Sequence, residues 1–202
     1  MQQRIGLIKA LLFLLCLVPL ARLIVLGAND ALGANPIEFI TRSTGTWTLV
    51  FLLVTLSVTP LRKIFNQPAL IKLRRMFGLF AFFYVCLHFT TYIWLDQFFD
   101  AGEIAKDIVK RPFITVGFLA FVLLIPLAAT SNNAIIKRLG ARSWQRLHRL
   151  VYPIGILGVV HYWWLVKKDL TQPIIYASIL ALLLGYRLLL ARTRKTPAAV
   201  AP

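Results

Sequence analysis

The sequence predicts an all-α integral membrane protein, and three observations lead to that prediction. Of its 202 residues, 59% are hydrophobic and only 15% are charged, whereas charged residues make up about 25% of an ordinary soluble domain. The apolar residues form six runs, each close in length to the roughly 20 residues that a bilayer-spanning helix needs. The net charge of +16 comes from basic residues that separate these runs, unlike the solvent-facing patch of a nucleic-acid-binding domain. We therefore expect six transmembrane helices and no nucleic-acid partner.

The six predicted spans follow one another in a single domain that covers residues 1–202. Their approximate bounds are 5–26, 46–65, 76–98, 113–129, 147–166 and 173–191. The first run is longer than the roughly 7–15 apolar residues of a signal-peptide core, so we expect it to remain as a helix. The longest outer segment, 96–112, predicts a short interfacial helix around 103–109. We expect no soluble domain, since only residues 192–202 follow the last span.

The basic residues lie unequally on the two sides of the predicted bundle. Sixteen of the 23 fall on the side of the termini, and all seven acids fall on the opposite side. Because basic loops stay in the cytoplasm, both termini are predicted to be cytoplasmic. The inner set comprises Arg4, Lys9, Arg62, Lys63, Lys72, Arg74, Arg75, Lys137, Arg138, Arg142, Arg146, Arg149, Arg187, Arg192, Arg194 and Lys195.

Two of the three histidines lie well inside apolar spans. His88 is on the third predicted span and His161 on the fifth. Both spans run outward, and each histidine is roughly 18–21 Å from the inner end of its helix at 1.5 Å per residue. A histidine within a bilayer usually faces the bundle interior and marks a functional site. An imidazole from each side is what a bis-histidine haem requires, so His88 and His161 are candidate axial ligands of haem iron.

Other interpretations of the histidines stay open at this stage. His88 and His161 could be unrelated core residues bonded to carbonyls or hydroxyls, such as those of Thr90 or Tyr92. The third histidine, His148, is predicted at the inner boundary, as a candidate ligand at a second site or as an ordinary interfacial residue. Guanidinium groups match carboxylate and phosphate oxygens. Three inner arginines are therefore candidate contacts of a haem propionate or a flavin phosphate: Arg74, Arg75 and Arg149.

Two sequence runs resemble a known family. They are Arg74-Arg75-Met76-Phe77-Gly78-Leu79, followed by Tyr84 and His88, and Trp144 to Tyr152, followed by His161. They resemble the ferric-reductase-like transmembrane domain, and nearly the whole chain resembles its MsrQ (YedZ) family. Members of the superfamily carry two histidines on each of two helices and hold two stacked haems. In the family, a second histidine precedes the one that corresponds to His88, but at that spacing this sequence has Arg74 or Arg75. One ligand of the inner haem is therefore missing, while the His88–His161 pair is intact.

The resemblance implies haem b and flavin mononucleotide (FMN) as cofactors in a multi-pass protein of the bacterial inner membrane. It also implies a heterodimer with a periplasmic molybdopterin-dependent methionine sulfoxide reductase, which repairs oxidised proteins. Electrons would come from quinol or a cytoplasmic flavin reductase. The sequence offers no convincing set of general acid, base and nucleophile, which is typical of an electron-transfer subunit without a catalytic site of its own.

Two other functions remain open from the sequence. A stand-alone ferric or quinone reductase would use the same haem but reduce a soluble acceptor directly. A small transporter with histidine relays would not be a redox protein. No acid is predicted to be buried in a span, because Asp96 lies at the outer end of the third span. Transporters usually pair charges at the membrane midplane, which disfavours the transporter.

Overall fold

The structure is a computed structural model that describes residues 2–166 and 168–193, and its regular elements are helical throughout that part of the chain. The all-α prediction is therefore confirmed. A 3-10 turn, Pro68–Leu70, precedes the third helix, and a π-helical turn, Tyr92–Asp96, extends it. The helices are α1 (Gln2–Ala28), α2 (Pro36–Ile64), α3 (Ile71–Thr91), α4 (Ala101–Lys110), α5 (Pro112–Ala129), α6 (Asn133–Leu139), α7 (Ala141–His148), α8 (Val151–Leu165) and α9 (Thr171–Thr193).

Five helical segments of the described chain are long and apolar enough to cross a membrane: Gly6–Ala28, Pro36–Ile64, Pro68–Asp96, Pro112–Ala129 and Thr171–Arg192. Their lipid-facing character is visible in side chains such as Leu15, which is 62% exposed, and Leu182, which is 74% exposed. Apolar surface of this extent is unfavourable in water but stable against lipid tails. The chain is therefore a multi-pass membrane protein.

The predicted fifth span, 147–166, is divided in the structure. Its first residues end α7, a turn follows at Arg149 and Leu150, and α8 contains only 15 residues. Pro153 explains the break, because proline has no N–H to donate to the carbonyl of Arg149, four residues earlier. At 1.5 Å per residue α8 is roughly 22 Å long, shorter than the roughly 30 Å hydrocarbon core. The count of six spans stays a prediction.

Two helix pairs form the centre of the bundle. Helix α2 packs along α3, and α5 packs along α8. Aromatic side chains fill the first interface, where the rings of Phe51 and Tyr84 stack with centroids 5.3 Å apart. Tyr84 and Ile154 have no exposed surface, and they belong to one apolar cluster that joins α3 to α8. This shared core holds α3 and α8 in a fixed relation to each other.

A tyrosine from α3 satisfies backbone groups of α1 beside a proline. Pro19 lies inside α1, where a proline removes one helical hydrogen bond. The Tyr84 hydroxyl donates to the carbonyl of Cys16 at 2.8 Å and accepts from the N–H of Leu20 at 3.2 Å. These two bonds tie α1 to α3 in an apolar region where water cannot replace them.

An arginine from α9 satisfies a backbone carbonyl of α2 that a proline leaves without a donor. Pro60 lies inside α2, so the carbonyl of Leu56, four residues earlier, lacks its helical donor. Arg187 donates from Nη2 to that carbonyl and from Nη1 to the Tyr152 hydroxyl, both at 2.6 Å. A side chain 131 residues away thereby completes the hydrogen bonding of α2.

The short helix α4 lies on the predicted outer side and contains the predicted interfacial segment 103–109. Its buried Asp107 accepts hydrogen bonds from the Tyr92 hydroxyl at 3.3 Å and from the Gln97 side chain at 3.2 Å. Arg111 pairs with the same carboxylate at 3.1 Å. These contacts fasten α4 to the end of α3, beside the region described next.

Candidate metal centre

Two histidines from different helices meet near the predicted outer ends of α3 and α8. The ring centres of His88 and His161 are 6.1 Å apart, and the ring planes are inclined by 77°. The structure thus brings together the two histidines that the sequence predicts at equal depth on parallel helices. The two imidazoles are therefore neighbours in the fold.

Each imidazole binds a backbone carbonyl of a neighbouring helix. His88 Nδ1 lies 2.9 Å from the carbonyl oxygen of Thr41 in α2, and His161 Nδ1 lies 2.6 Å from that of Phe113 in α5. A carbonyl only accepts, so Nδ1 carries the proton in both rings. The described residues give Nε2 of either ring no hydrogen-bond partner. Each Nε2 therefore presents a free lone pair, which is the form in which histidine binds metals.

A cavity of about 350 Å³ lies between the helices that carry these histidines. Its walls are mostly apolar and include Leu52, Val85 and Phe121. Ligand cavities of about 300–1,000 Å³ with apolar walls and a few polar groups are typical of small-molecule and cofactor sites. The cavity therefore offers two imidazoles in a mostly apolar space.

Two arginines that the sequence did not single out line this cavity. They are Arg42 from α2 and Arg111, which links α4 and α5. Each is partly exposed and paired with a carboxylate on its own helical turn, Arg42 with Glu38 at 2.6 Å and Arg111 with Asp107 at 3.1 Å. Spacing alone gave no signal for them, because both lie at helix ends whose relation to the histidines depends on the tertiary fold.

His148 has a separate environment at the predicted inner end of the bundle. Its Nε2 lies 3.1 Å from the Thr130 hydroxyl, and its ring stacks on Trp144 with centroids 3.9 Å apart. The positive charges of Arg74 and Arg75 lie close enough to act on this ring electrostatically. The structure thus separates His148 from the cavity that His88 and His161 line.

The three arginines singled out from the sequence also lie away from that cavity. Arg75 donates from Nη2 to the side chain of Asn133 at 2.7 Å. The positive charges of Arg187 and Arg62 lie close enough to repel that of Arg74. Arg149 is exposed in the turn between α7 and α8. A carboxylate beside the His88–His161 pair would therefore contact Arg42 or Arg111, whereas Arg74, Arg75 and Arg149 lie on the predicted inner side.

A metal held by protein side chains alone is not suggested by these residues. Within the described chain, no group of three or more histidine, cysteine, aspartate or glutamate side chains is placed to hold an ion. Two facing imidazoles without further ligands suit a metal that brings its own equatorial ligands. That is the arrangement of iron in a porphyrin with two axial histidines.

Comparison with known proteins identifies relatives that are also membrane proteins. The model of the ferric reductase like transmembrane component family matches residues 41–159. Among curated proteins, a relative from Herminiimonas arsenicoxydans is 58% identical over 195 residues, which covers 96% of this chain and 89% of the relative. One from Rhodospirillum rubrum is 51% identical over 194 residues, covering 96% and 92%. Both are named as the heme-binding subunit MsrQ of protein-methionine-sulfoxide reductase.

This chain belongs to the MsrQ family of ferric-reductase-like transmembrane proteins. The matched region contains α3 and α5 and most of α2 and α8, and these four helices build most of the cavity. It includes His88 and ends two residues before His161. The family resemblance expected from the sequence is therefore confirmed, and the structure adds the cavity and its hydrogen bonds.

Proposed function

We propose that this protein is a b-type cytochrome of the bacterial inner membrane. It passes electrons outward to a periplasmic, molybdopterin-dependent methionine sulfoxide reductase and so supports the repair of oxidised proteins. One observation carries the proposal: His88 and His161 face one apolar cavity with both Nδ1 atoms bonded to carbonyls and both Nε2 atoms free. The names of the relatives, which describe a heme-binding subunit, support the choice of cofactor.

The residues at the cavity fit a haem with two axial histidines. A metal–imidazole bond is about 2 Å long, so two imidazoles on one metal place their ring centres about 6 Å apart. The observed separation is 6.1 Å. His88 and His161 would hold the iron, and Arg42 and Arg111 would contact the carboxylates of the porphyrin. When bound, haem supplies one-electron chemistry, and two histidine ligands leave no open position for oxygen.

The protein residues tune and protect such a centre. The carbonyls of Thr41 and Phe113 fix the orientation of the two imidazoles and raise their basicity, because each ring donates its Nδ1 proton. Apolar walls such as Leu52 and Phe121 limit access of water. The proximity of His88 and His161 to the outer surface shortens the path to a soluble acceptor. These features suit outer-sphere electron transfer without a substrate site.

The inner half would receive electrons from quinol or from a separate cytoplasmic flavin reductase. FMN is our proposed second cofactor there, with its phosphate near Arg74, Arg75 or Arg149, because guanidinium groups match phosphate oxygens. His148 is the candidate second-site ligand on this side. On the outer side, α4 and the neighbouring loops form the surface nearest the histidine pair, and we assign the reductase partner of a heterodimer to that surface.

The test is an optical spectrum of the detergent-purified protein, oxidised and dithionite-reduced, with haem quantified as its pyridine complex and released flavin measured. The unchanged protein should show a low-spin b-type spectrum. His88→Ala and His161→Ala should each lose most of that absorbance, because each removes an axial ligand.

His148→Ala is the matched control, since it removes an imidazole outside the cavity. It should retain a substantial low-spin signal from the outer centre. Equal loss of absorbance in all three variants would contradict the ligand assignment, and a colourless unchanged protein expressed with supplied haem would contradict the redox function itself.

A further inference from the structure

A backbone carbonyl and a glycine of a neighbouring helix contact each of the two histidines in the same way. In the first, α2 presents the Thr41 carbonyl to His88 of α3 and places Gly45 one helical turn further on. In the second, α5 presents the Phe113 carbonyl to His161 of α8 and places Gly117 one turn further on. The sequence shows no repeat here, because the common feature is a spacing of four residues between the carbonyl and the glycine.

Both glycines lie directly against an imidazole ring. A Cβ atom added at Gly117 would be 2.7 Å from His161 Nδ1 and 2.8 Å from Cε1. A Cβ at Gly45 would be 3.0 Å from His88 Cε1 and 3.1 Å from Nδ1. Packed carbon atoms prefer separations of about 3.5–4.0 Å. Any other residue would therefore push the ring away from the carbonyl that binds it, more strongly at Gly117 than at Gly45.

We infer that Gly45 and Gly117 are positioning residues that, with the Thr41 and Phe113 carbonyls, hold the planes of the two axial imidazoles close to a right angle. The inference rests on the proposed haem function and adds to it the orientation of the ligands. A hydrogen bond from Nδ1 restrains one edge of each ring. The glycine, which has no Cβ, leaves the space that this edge occupies. The interplanar angle of 77° is the result.

This orientation has a spectroscopic signature. When two axial imidazole planes are nearly perpendicular, two d orbitals of low-spin ferric iron are close in energy, and one low-field feature dominates the electron paramagnetic resonance (EPR) spectrum. Parallel planes separate these orbitals and give three resolved features. Axial-ligand geometry is thus a property that the protein sets and that EPR reads directly. A purely structural role for the glycines would change protein yield without moving this signal.

The experiment compares EPR spectra and haem content of the unchanged protein with those of Gly45→Ala and Gly117→Ala. The unchanged protein should show a single dominant low-field feature. In Gly117→Ala that feature should shift or be replaced by three resolved features, because the ring must turn or move. Gly45→Ala should change in the same direction by a smaller amount. It is also the variant expected to fold normally, since its closest contact is looser.

Gly78→Ala is the matched control, since it lies on α3 with His88, and an added Cβ there would meet Thr55 Cγ2 at an ordinary 3.7 Å. Its spectrum should equal that of the unchanged protein. Haem-containing Gly45→Ala and Gly117→Ala proteins with unaltered spectra would overturn the inference and leave the haem function intact. Absence of any low-spin haem in the unchanged protein would overturn the proposed function instead.

Discussion

At the residue scale, the interior of this membrane protein is organised by side chains that bind backbone groups of other helices. Tyr84 bridges Cys16 and Leu20 in α1, Arg187 binds the Leu56 carbonyl in α2, and the two histidines bind carbonyls in α2 and α5. A backbone group without a partner is costly in an apolar region, since no water is available. These contacts therefore stabilise the bundle and fix the positions of the rings at the same time.

Removing the Tyr84 hydroxyl should destabilise the contact between α1 and α3. Tyr84→Phe leaves the carbonyl of Cys16 and the N–H of Leu20 without their side-chain partner, which costs about 1–3 kcal/mol for a buried group. The thermal midpoint in detergent should fall by several degrees. Tyr186→Phe, on α9, is the control, because the structure gives its hydroxyl no hydrogen bond. Equal midpoints for both variants would show that the Tyr84 bonds add no stability.

Arg187 should stabilise the bundle by supplying the hydrogen bond that Pro60 cannot donate to the Leu56 carbonyl. In Arg187→Met the alkyl part of the side chain remains, but the Leu56 carbonyl and the Tyr152 hydroxyl lose their donor. We expect a loss of about 1–3 kcal/mol, measured as a lower thermal midpoint. Arg192→Met provides the comparison, since Arg192 is an exposed arginine of the same helix. If the thermal midpoint falls equally in Arg187→Met and Arg192→Met, the loss comes from the removed charge in general. The hydrogen bond to the Leu56 carbonyl would then add no stability of its own.

At the element scale, α4 lies beside the cavity, to which it contributes Ile108, and a buried carboxylate of this helix binds neighbouring side chains. Asp107 is 7% exposed and binds side chains of Tyr92, Gln97 and Arg111. The chain before α4 includes Phe98 and Phe99, both at positive φ, a conformation that non-glycine residues adopt only when their surroundings impose it. The position of α4 thus depends on contacts made at its ends.

Asp107→Ala should loosen α4 without unfolding the bundle. Amide hydrogens of residues 101–110 should exchange faster with deuterium, because the contacts to α3 are lost, while exchange in α2 stays unchanged. Glu103→Ala removes an exposed carboxylate of the same helix that pairs with Lys106, and it should leave the exchange of α4 nearly unchanged. Unaltered exchange in Asp107→Ala would show that other contacts hold the helix.

Several elements were predictable from sequence because apolar length and turn residues determine them locally. The long helices and the short helix near 103–109 are examples. The proximity of His88 and His161 also follows from their matching positions along α3 and α8. The division of α7 from α8 was harder to predict, since it depends on how Pro153 is accommodated. Gly45, Gly117, Arg42 and Arg111 gave no signal, because their roles follow from the rotation of neighbouring helices about their axes.

At the scale of the whole molecule, charge separates the two faces while the histidine pair lies near one of them. All seven acids belong to the predicted outer side, and most basic residues belong to the inner side. The predicted orientation would place the cavity near the periplasm and His148 near the cytoplasm. Such an arrangement suits a protein that receives electrons on one side and delivers them on the other.

The orientation can be tested with single cysteines in a variant whose Cys16 and Cys86 are replaced by alanine. Glu103→Cys, on α4, should react with a membrane-impermeant maleimide in intact spheroplasts, because its site is exposed on the predicted outer side. Arg142→Cys, on α7, should react only after the membrane is permeabilised. The reverse pattern of labelling would invert the topology and, with it, the proposed direction of electron transfer.

The most direct test of the central claim is anomalous diffraction at the iron absorption edge from crystals of the haem-loaded protein. We predict an iron peak in the outer cavity, bonded to Nε2 of His88 and Nε2 of His161, whether or not a second peak appears near His148. An outer cavity without iron, or iron there bound by neither histidine, would contradict the account.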